Sequence, residues 1–178
     1  MKPSNENETP IIDYFNKQGH SDNQQLPLII RPQDAQMDLS KWVVVNHEKF
    51  TADLVKYGAI LFRNFSIKTP GDFKLFLDNF NSEPLPYMFR SSPREQLNQS
   101  IKNIYLSTTY PNNRKIYLHN ESSYSRVWGG KIVFCCLKPA DIGGETPLAD
   151  SRKVLKSISS DLIDKFKKRC SIQKKFTA

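Results

Sequence analysis

The apolar and polar positions change texture at Leu26. Residues 26–32 read LPLIIRP, an apolar run between prolines, which predicts a short strand stopped by Pro32. Asn46 can cap a helix that turns Phe50, Leu54 and Tyr57 to one side, and Gly58 stands where helices commonly end in the left-handed conformation. Residues 59–62 (AILF) read as a buried strand. Thr69 followed by Pro70 is a helix start, and Phe73, Phe76, Leu77 and Phe80 recur at i, i+3, i+4 and i+7 behind it. Residues 81–99 contain Pro84, Pro86 and Pro93 and predict mostly loop. Short strands fit residues 103–107, 115–118 and 131–137 (KIVFCCL). Gly143 and Gly144 mark a tight turn, Asp150 can cap a helix through Ile158, and Ser159 or Ser160 can cap another as far as about Arg169.

Helices early, followed by several short strands, argue against a doubly wound sheet, in which strand and helix alternate throughout. The expectation is a mainly β fold of jelly-roll or related barrel type with peripheral helices. The length of 178 residues fits one domain. Residues 1–25, rich in Asn, Gln, Ser, Asp and Glu around a short cluster of Ile11, Ile12, Tyr14 and Phe15, read as a flexible lead-in to a domain spanning 26–178.

Charge changes the picture only when it is located. The net charge is +8, yet Lys and Arg stand 17 to 16 against Asp and Glu in residues 1–150 and 9 to 2 in residues 151–178. In that second stretch the cations alternate with Val154, Leu155, Ile158, Leu162, Ile163 and Phe166 at helical spacing. A solvated helix face accounts for this better than a phosphate-binding patch, which disfavours nucleic acid as a partner. No apolar run reaches the ~18 residues of a membrane span, and MKPSNENETP has no apolar core of a signal peptide, so the expected compartment is the cytoplasm without membrane contact. Cys135, Cys136 and Cys170 form no disulfide framework and no CxxC pair for zinc; Cys135 or Cys136 reads as a small core side chain.

The candidate chemistry lies between His119 and Thr146. In YLHNESSY, His119 and Glu121 are one residue apart, so an extended chain would send both side chains from one face. An imidazole and a carboxylate are two of the three donors of a facial triad for non-haem Fe(II). The pair alone reads first as a surface histidine beside a solvated glutamate.

Its company says more. Downstream stands KIVFCCLKPADIGGETPLADSR, and upstream YGAILFRNF, FRSSPREQL and STTYPNNRKIYLHNESSY. Together these segments, from about residue 26 to about 176, resemble the TauD/TfdA-like Fe(II)/2-oxoglutarate-dependent dioxygenases, in the branch whose carboxylate ligand is glutamate. The resemblance implies the N-terminal part of a double-stranded β-helix (jelly roll) of clavaminate-synthase-like type. It implies His119 and Glu121 as metal ligands and Thr146, after the Gly-Gly turn, as a hydroxyl bound to a carboxylate of 2-oxoglutarate. The implied reaction is hydroxylation of a small-molecule substrate coupled to decarboxylation of that cosubstrate.

The sequence departs from the family pattern at three places. Asn64 stands where glycine is usual, and Gly129 and Gly130 follow Trp128 where proline is usual. The family's distal histidine and 2-oxoglutarate-binding arginine lie well beyond the His-X-Glu pair, and the chain ends at Ala178. The expectation is therefore an impaired two-ligand site, with self-association through unpaired strands. The alternative is a catalytically inactive remnant acting as a binding or interaction module. His20 and His47 precede the core strands and are poor ligand candidates. Trp128 and Tyr124 could line a substrate mouth or pack in a core, and Arg90 and Arg94 could face an acidic substrate or water.

Overall fold

In the computed structural model, residues 11–13, 26–80, 83–86, 95–98, 101–107, 110–111, 113–123, 125 and 127–167 are described. They divide into two compact units, residues 1–84 with 135–141 and residues 85–134 with 142–178.

In the first unit, β1 (Ile11–Asp13) and β2 (Leu28–Arg31) pair antiparallel, with Ile12 opposite Ile30. Three residues of the polar lead-in therefore pair in a sheet; the rest of that segment lies outside the described residues. Strand β2 is central, in the order β1-β2-β3, and Leu28, Ile29 and Ile30 are all buried. A strand covered on both faces carries a continuous apolar run, as LII does.

Asp38 starts α1 (Leu39–Val45), its carboxylate accepting from Ser40 N at 2.8 Å and Lys41 N at 3.3 Å. Leu39, Trp42 and Val43 are buried beneath it. This helix is absent from the pattern reading. Asn46 closes it: both the backbone N–H and Nδ2 donate to the Trp42 carbonyl at 2.9 Å. Asn46 therefore makes no side-chain cap on α2 (His47–Tyr57), contrary to expectation, because its amide is already engaged behind it. Gly58 ends α2 at φ 81°, its N–H on the Leu54 carbonyl, as foreseen.

Strand β3 (Ile60–Phe62) runs parallel to β2, with Leu28 beside Ile60 and Ile30 beside Phe62. A parallel pair needs a crossover, and α1 and α2 supply it. One strand–helix–strand unit thus exists where alternation seemed absent. Leu61 is exposed, so β3 is half-covered rather than buried.

Helix α3 (Pro70–Asp78) begins at Thr69 and sends Phe76 into the core, with Phe80 following just past its end. Phe80 lies 5.0 Å from Phe50 and 5.2 Å from Phe76, while Phe62 lies 5.8 Å from Trp42 and 6.0 Å from Phe76, ring centre to ring centre. These edge-to-face pairs contribute about 0.5–1.5 kcal/mol each beyond their buried area.

In the second unit, β4 (Gln96–Asn98) pairs antiparallel with β5 (Ile101–Tyr105), so part of the predicted loop is a strand. Ile104 is buried there. The strands expected at 115–118 and 131–137 do not form among the described residues. A strand exists by pairing, and these segments have no ladder partner; Ile116, Leu118, Ile132 and Phe134 stay 49, 61, 57 and 58% exposed. Among the described residues, helices of 7 to 11 residues stand beside strands of 3 to 5, a mixture of small sheets and helices.

Asp150 caps α4 (Ser151–Ser157), and α5 (Ser160–Lys167) follows, with Leu162 and Ile163 N–H groups on the Ser159 carbonyl. Neither helix buries a residue, which fits a solvated basic face. Among the described residues no helix is long and apolar enough to cross a membrane.

Candidate metal and cosubstrate site

His119 is exposed, and its Nδ1 lies 2.7 Å from the carbonyl of Tyr117. A carbonyl only accepts, so this contact requires a proton on Nδ1, and in the neutral ring Nε2 is then the nitrogen left for a ligand. An imidazole oriented in this way through its other nitrogen is the usual arrangement of a metal-binding histidine. The chain around it is irregular over 115–120 and turns at 121–123, with Ser122 at φ 55°. His119 thus ends the irregular stretch and Glu121 opens the turn, rather than both lying along a strand. Glu121 is half-buried at that turn.

The cosubstrate candidate is built differently. Gly143 and Gly144 adopt φ 73° and 83°, the left-handed region that costs other residues about 1–2 kcal/mol. Two successive left-handed residues turn the chain before Thr146, whose hydroxyl is exposed. Behind it Asp150 is locked. Its carboxylate accepts from Arg152 N at 2.9 Å, from Nε at 3.0 and 3.2 Å and from Nη2 at 2.9 Å. The Arg152 guanidinium, then its backbone N–H, hold the Asp150 carboxyl below the usual range.

A hydrogen bond joins the two segments. Ser151 Oγ donates to Asn120 Oδ1 at 3.3 Å, across 31 residues of sequence. Motif reading missed both residues, and no local pattern could have found a contact at that separation; the only signals were Asn120 lying between two candidate ligands and the Asp150 cap.

The donor set fits a divalent iron in part: a neutral imidazole and a carboxylate are suitable ligands, and a third protein donor is needed for a facial triad. Among the described residues no three His, Cys, Asp or Glu side chains cluster in a metal-binding arrangement. His47 opens α2, and His20 lies outside the described residues, as do Tyr124, Arg90 and Arg94. Trp128 is exposed rather than part of a core. Cys135 is half-buried and Cys136 exposed, so neither is the fully enclosed core thiol the sequence suggests.

Residues 22–178 match the model of the family described as taurine catabolism dioxygenase TauD, TfdA family. The chain belongs to the TauD/TfdA family. It is 35% identical over 124 residues to the dapdiamide synthesis protein DdaC of Enterobacter agglomerans, covering 70% of this chain and 37% of that protein. It is 28% identical over 155 residues to a clavaminate synthase-like protein of Arabidopsis thaliana, covering 83% of this chain and 45% of that one. The chain thus spans less than half the length of these curated relatives. TauD/TfdA membership makes this a dioxygenase-type sequence and implies the jelly-roll framework, of which the described residues display only small sheets and flanking helices.

Proposed function

We propose that this chain serves a non-haem Fe(II)/2-oxoglutarate-dependent dioxygenase that hydroxylates a small molecule. The observation that carries the reading is the 2.7 Å contact of His119 Nδ1 with the Tyr117 carbonyl, which in the neutral ring turns Nε2 to a ligand, with Glu121 following after a single intervening residue. Family membership supports it.

In this reading His119 and Glu121 each provide one metal bond, while the Thr146 hydroxyl donates to a carboxylate of 2-oxoglutarate. Bound Fe(II) and 2-oxoglutarate supply the oxidising chemistry: one atom of O2 enters succinate as CO2 leaves, and the other enters the substrate as hydroxyl. The glycine turn holds Thr146 in place, and the Tyr117 carbonyl fixes the ring of His119. With His119 and Glu121 as its protein donors, a metal would be held with modest affinity.

Calorimetry with Mn(II) tests the assignment. Weak binding is expected that His119→Ala abolishes, and tight binding that survives His119→Ala would overturn it. Titrating 2-oxoglutarate into the Co(II) form should change the metal's spectrum, and Thr146→Val should weaken that response while sparing the metal. A binding module without iron would show neither effect.

A further inference from the structure

We propose that Asn120 and Ser151 are positioning residues, a latch that sets the distance between the metal donors and Thr146. The inference rests on the function proposed above. Asn120 lies between His119 and Glu121, and its side-chain oxygen accepts the Ser151 hydroxyl at 3.3 Å. Ser151 is the first residue of α4, whose start is held by the Asp150 cap and by the two-pronged Arg152 grip on the same carboxylate. Asn120 is thus tied to the capped start of α4, five residues beyond Thr146.

The consequence follows from where each ligand must reach. The two metal donors of this reading, His119 and Glu121, are separated along the chain by Asn120 alone. A 2-oxoglutarate molecule chelating that metal and also bonded to Thr146 must satisfy both segments at once. His119, Asn120 and Thr146 are exposed, and much of the intervening chain is irregular. Fixing their separation in advance removes part of the ordering cost from cosubstrate binding. The latch therefore acts on cosubstrate affinity and leaves metal affinity alone.

The full chain tests this with Asn120→Ala, Ser151→Ala and Ser151→Thr, using Mn(II) calorimetry and 2-oxoglutarate titration into the Co(II) form. Both alanine variants should hold Mn(II) within about twofold of the parent yet bind 2-oxoglutarate roughly three- to tenfold more weakly, the size of one hydrogen bond. Ser151→Thr, which keeps the hydroxyl, should restore binding, and the double alanine variant should be no worse than either single one. In the metal-free protein, Asn120→Ala should also shift the amide resonances of Glu145 and Thr146. Unchanged 2-oxoglutarate affinity, additive losses, or equal loss of metal and cosubstrate binding would each overturn the latch. If the parent bound no Mn(II), bound it regardless of His119→Ala, or gave no 2-oxoglutarate response, the proposed function would fail and the latch with it; normal metal binding with a parent 2-oxoglutarate response that neither alanine variant weakens would sink the latch alone.

Discussion

Thr69 and Asp72 satisfy each other across the first turn of α3. The Thr69 hydroxyl accepts from Asp72 N at 3.1 Å, and the Asp72 carboxylate accepts from Thr69 N at 2.8 Å. Two backbone donors that the helix cannot use are thereby occupied, and Pro70 removes a third. Thr69→Ala should lower unfolding free energy by about 1 kcal/mol, read from the urea midpoint at unchanged slope. No shift in midpoint would mean that the box is not formed in solution.

The same carboxylate gives the protein an acid-sensitive joint. Asp72 is held below the ordinary carboxylate range, first by the Lys68 N–H at 3.0 Å and then by the Thr69 hydroxyl and N–H. A depressed folded value means that this stabilisation is complete above the ordinary range near 3.9 and disappears as pH falls through the folded value. Melting temperature should therefore drop on acidification with a contribution from Asp72, and Asp72→Asn should flatten that part of the curve while lowering stability at neutral pH. An identical acid limb in the variant would refute the assignment.

Legibility followed the range of the interactions. Helix α3 was readable because its cap, its proline and its Phe spacing all lie within twelve residues of one another, from Thr69 to Phe80. Gly58 and the Asp150 cap were readable for the same reason. Helix α1 was obscured by Val43, Val44 and Val45, whose branched side chains suggest a strand, although Asp38 and the spacing of Leu39, Trp42 and Val43 were there to be found. Residues 115–118 and 131–137 have strand-like composition, but a ladder requires a partner that no local pattern contains. At the site, His119, Glu121 and Thr146 could be picked out by motif order, whereas the bond between Asn120 and Ser151 could not.

Burial predicts where truncation hurts most. Phe76 is 4% exposed and meets Phe62, Phe73 and Phe80. Phe76→Ala should cost about 3–5 kcal/mol, combining lost transfer energy with an unfilled cavity. Loss of near-ultraviolet ellipticity and an early urea midpoint would report it; a change under ~1 kcal/mol would show that these rings do not form the core.

The adjacent thiols should separate chemically. Burial pushes the Cys135 thiol up, and the neighbouring Cys136 and Asp72 push the same way, while Cys136 is exposed. Thiolate is the reactive form, so brief alkylation at mildly alkaline pH should label Cys136 well before Cys135. Fragment-ion sequencing of the peptide that carries both thiols distinguishes them, and equal labelling would contradict the burial difference.

The glycine turn before Thr146 offers a test of the site that leaves every proposed contact atom in place. Gly144 sits at φ 83°, where a β-carbon crowds the backbone, and its replacement by alanine should either strain the turn by about 1–2 kcal/mol or shift it to another conformation. Neither α4 nor α5 buries a residue, so a change in this exposed region should barely move the global melt. The position of Thr146 should move instead. Gly144→Ala is therefore expected to leave Mn(II) binding near that of the parent, since His119 and Glu121 are untouched, and to weaken the 2-oxoglutarate response of the Co(II) form as Thr146→Val does. Combining the two changes should add little, because both remove the same hydrogen bond. A full 2-oxoglutarate response in Gly144→Ala would mean that the left-handed turn does not position Thr146 for the cosubstrate.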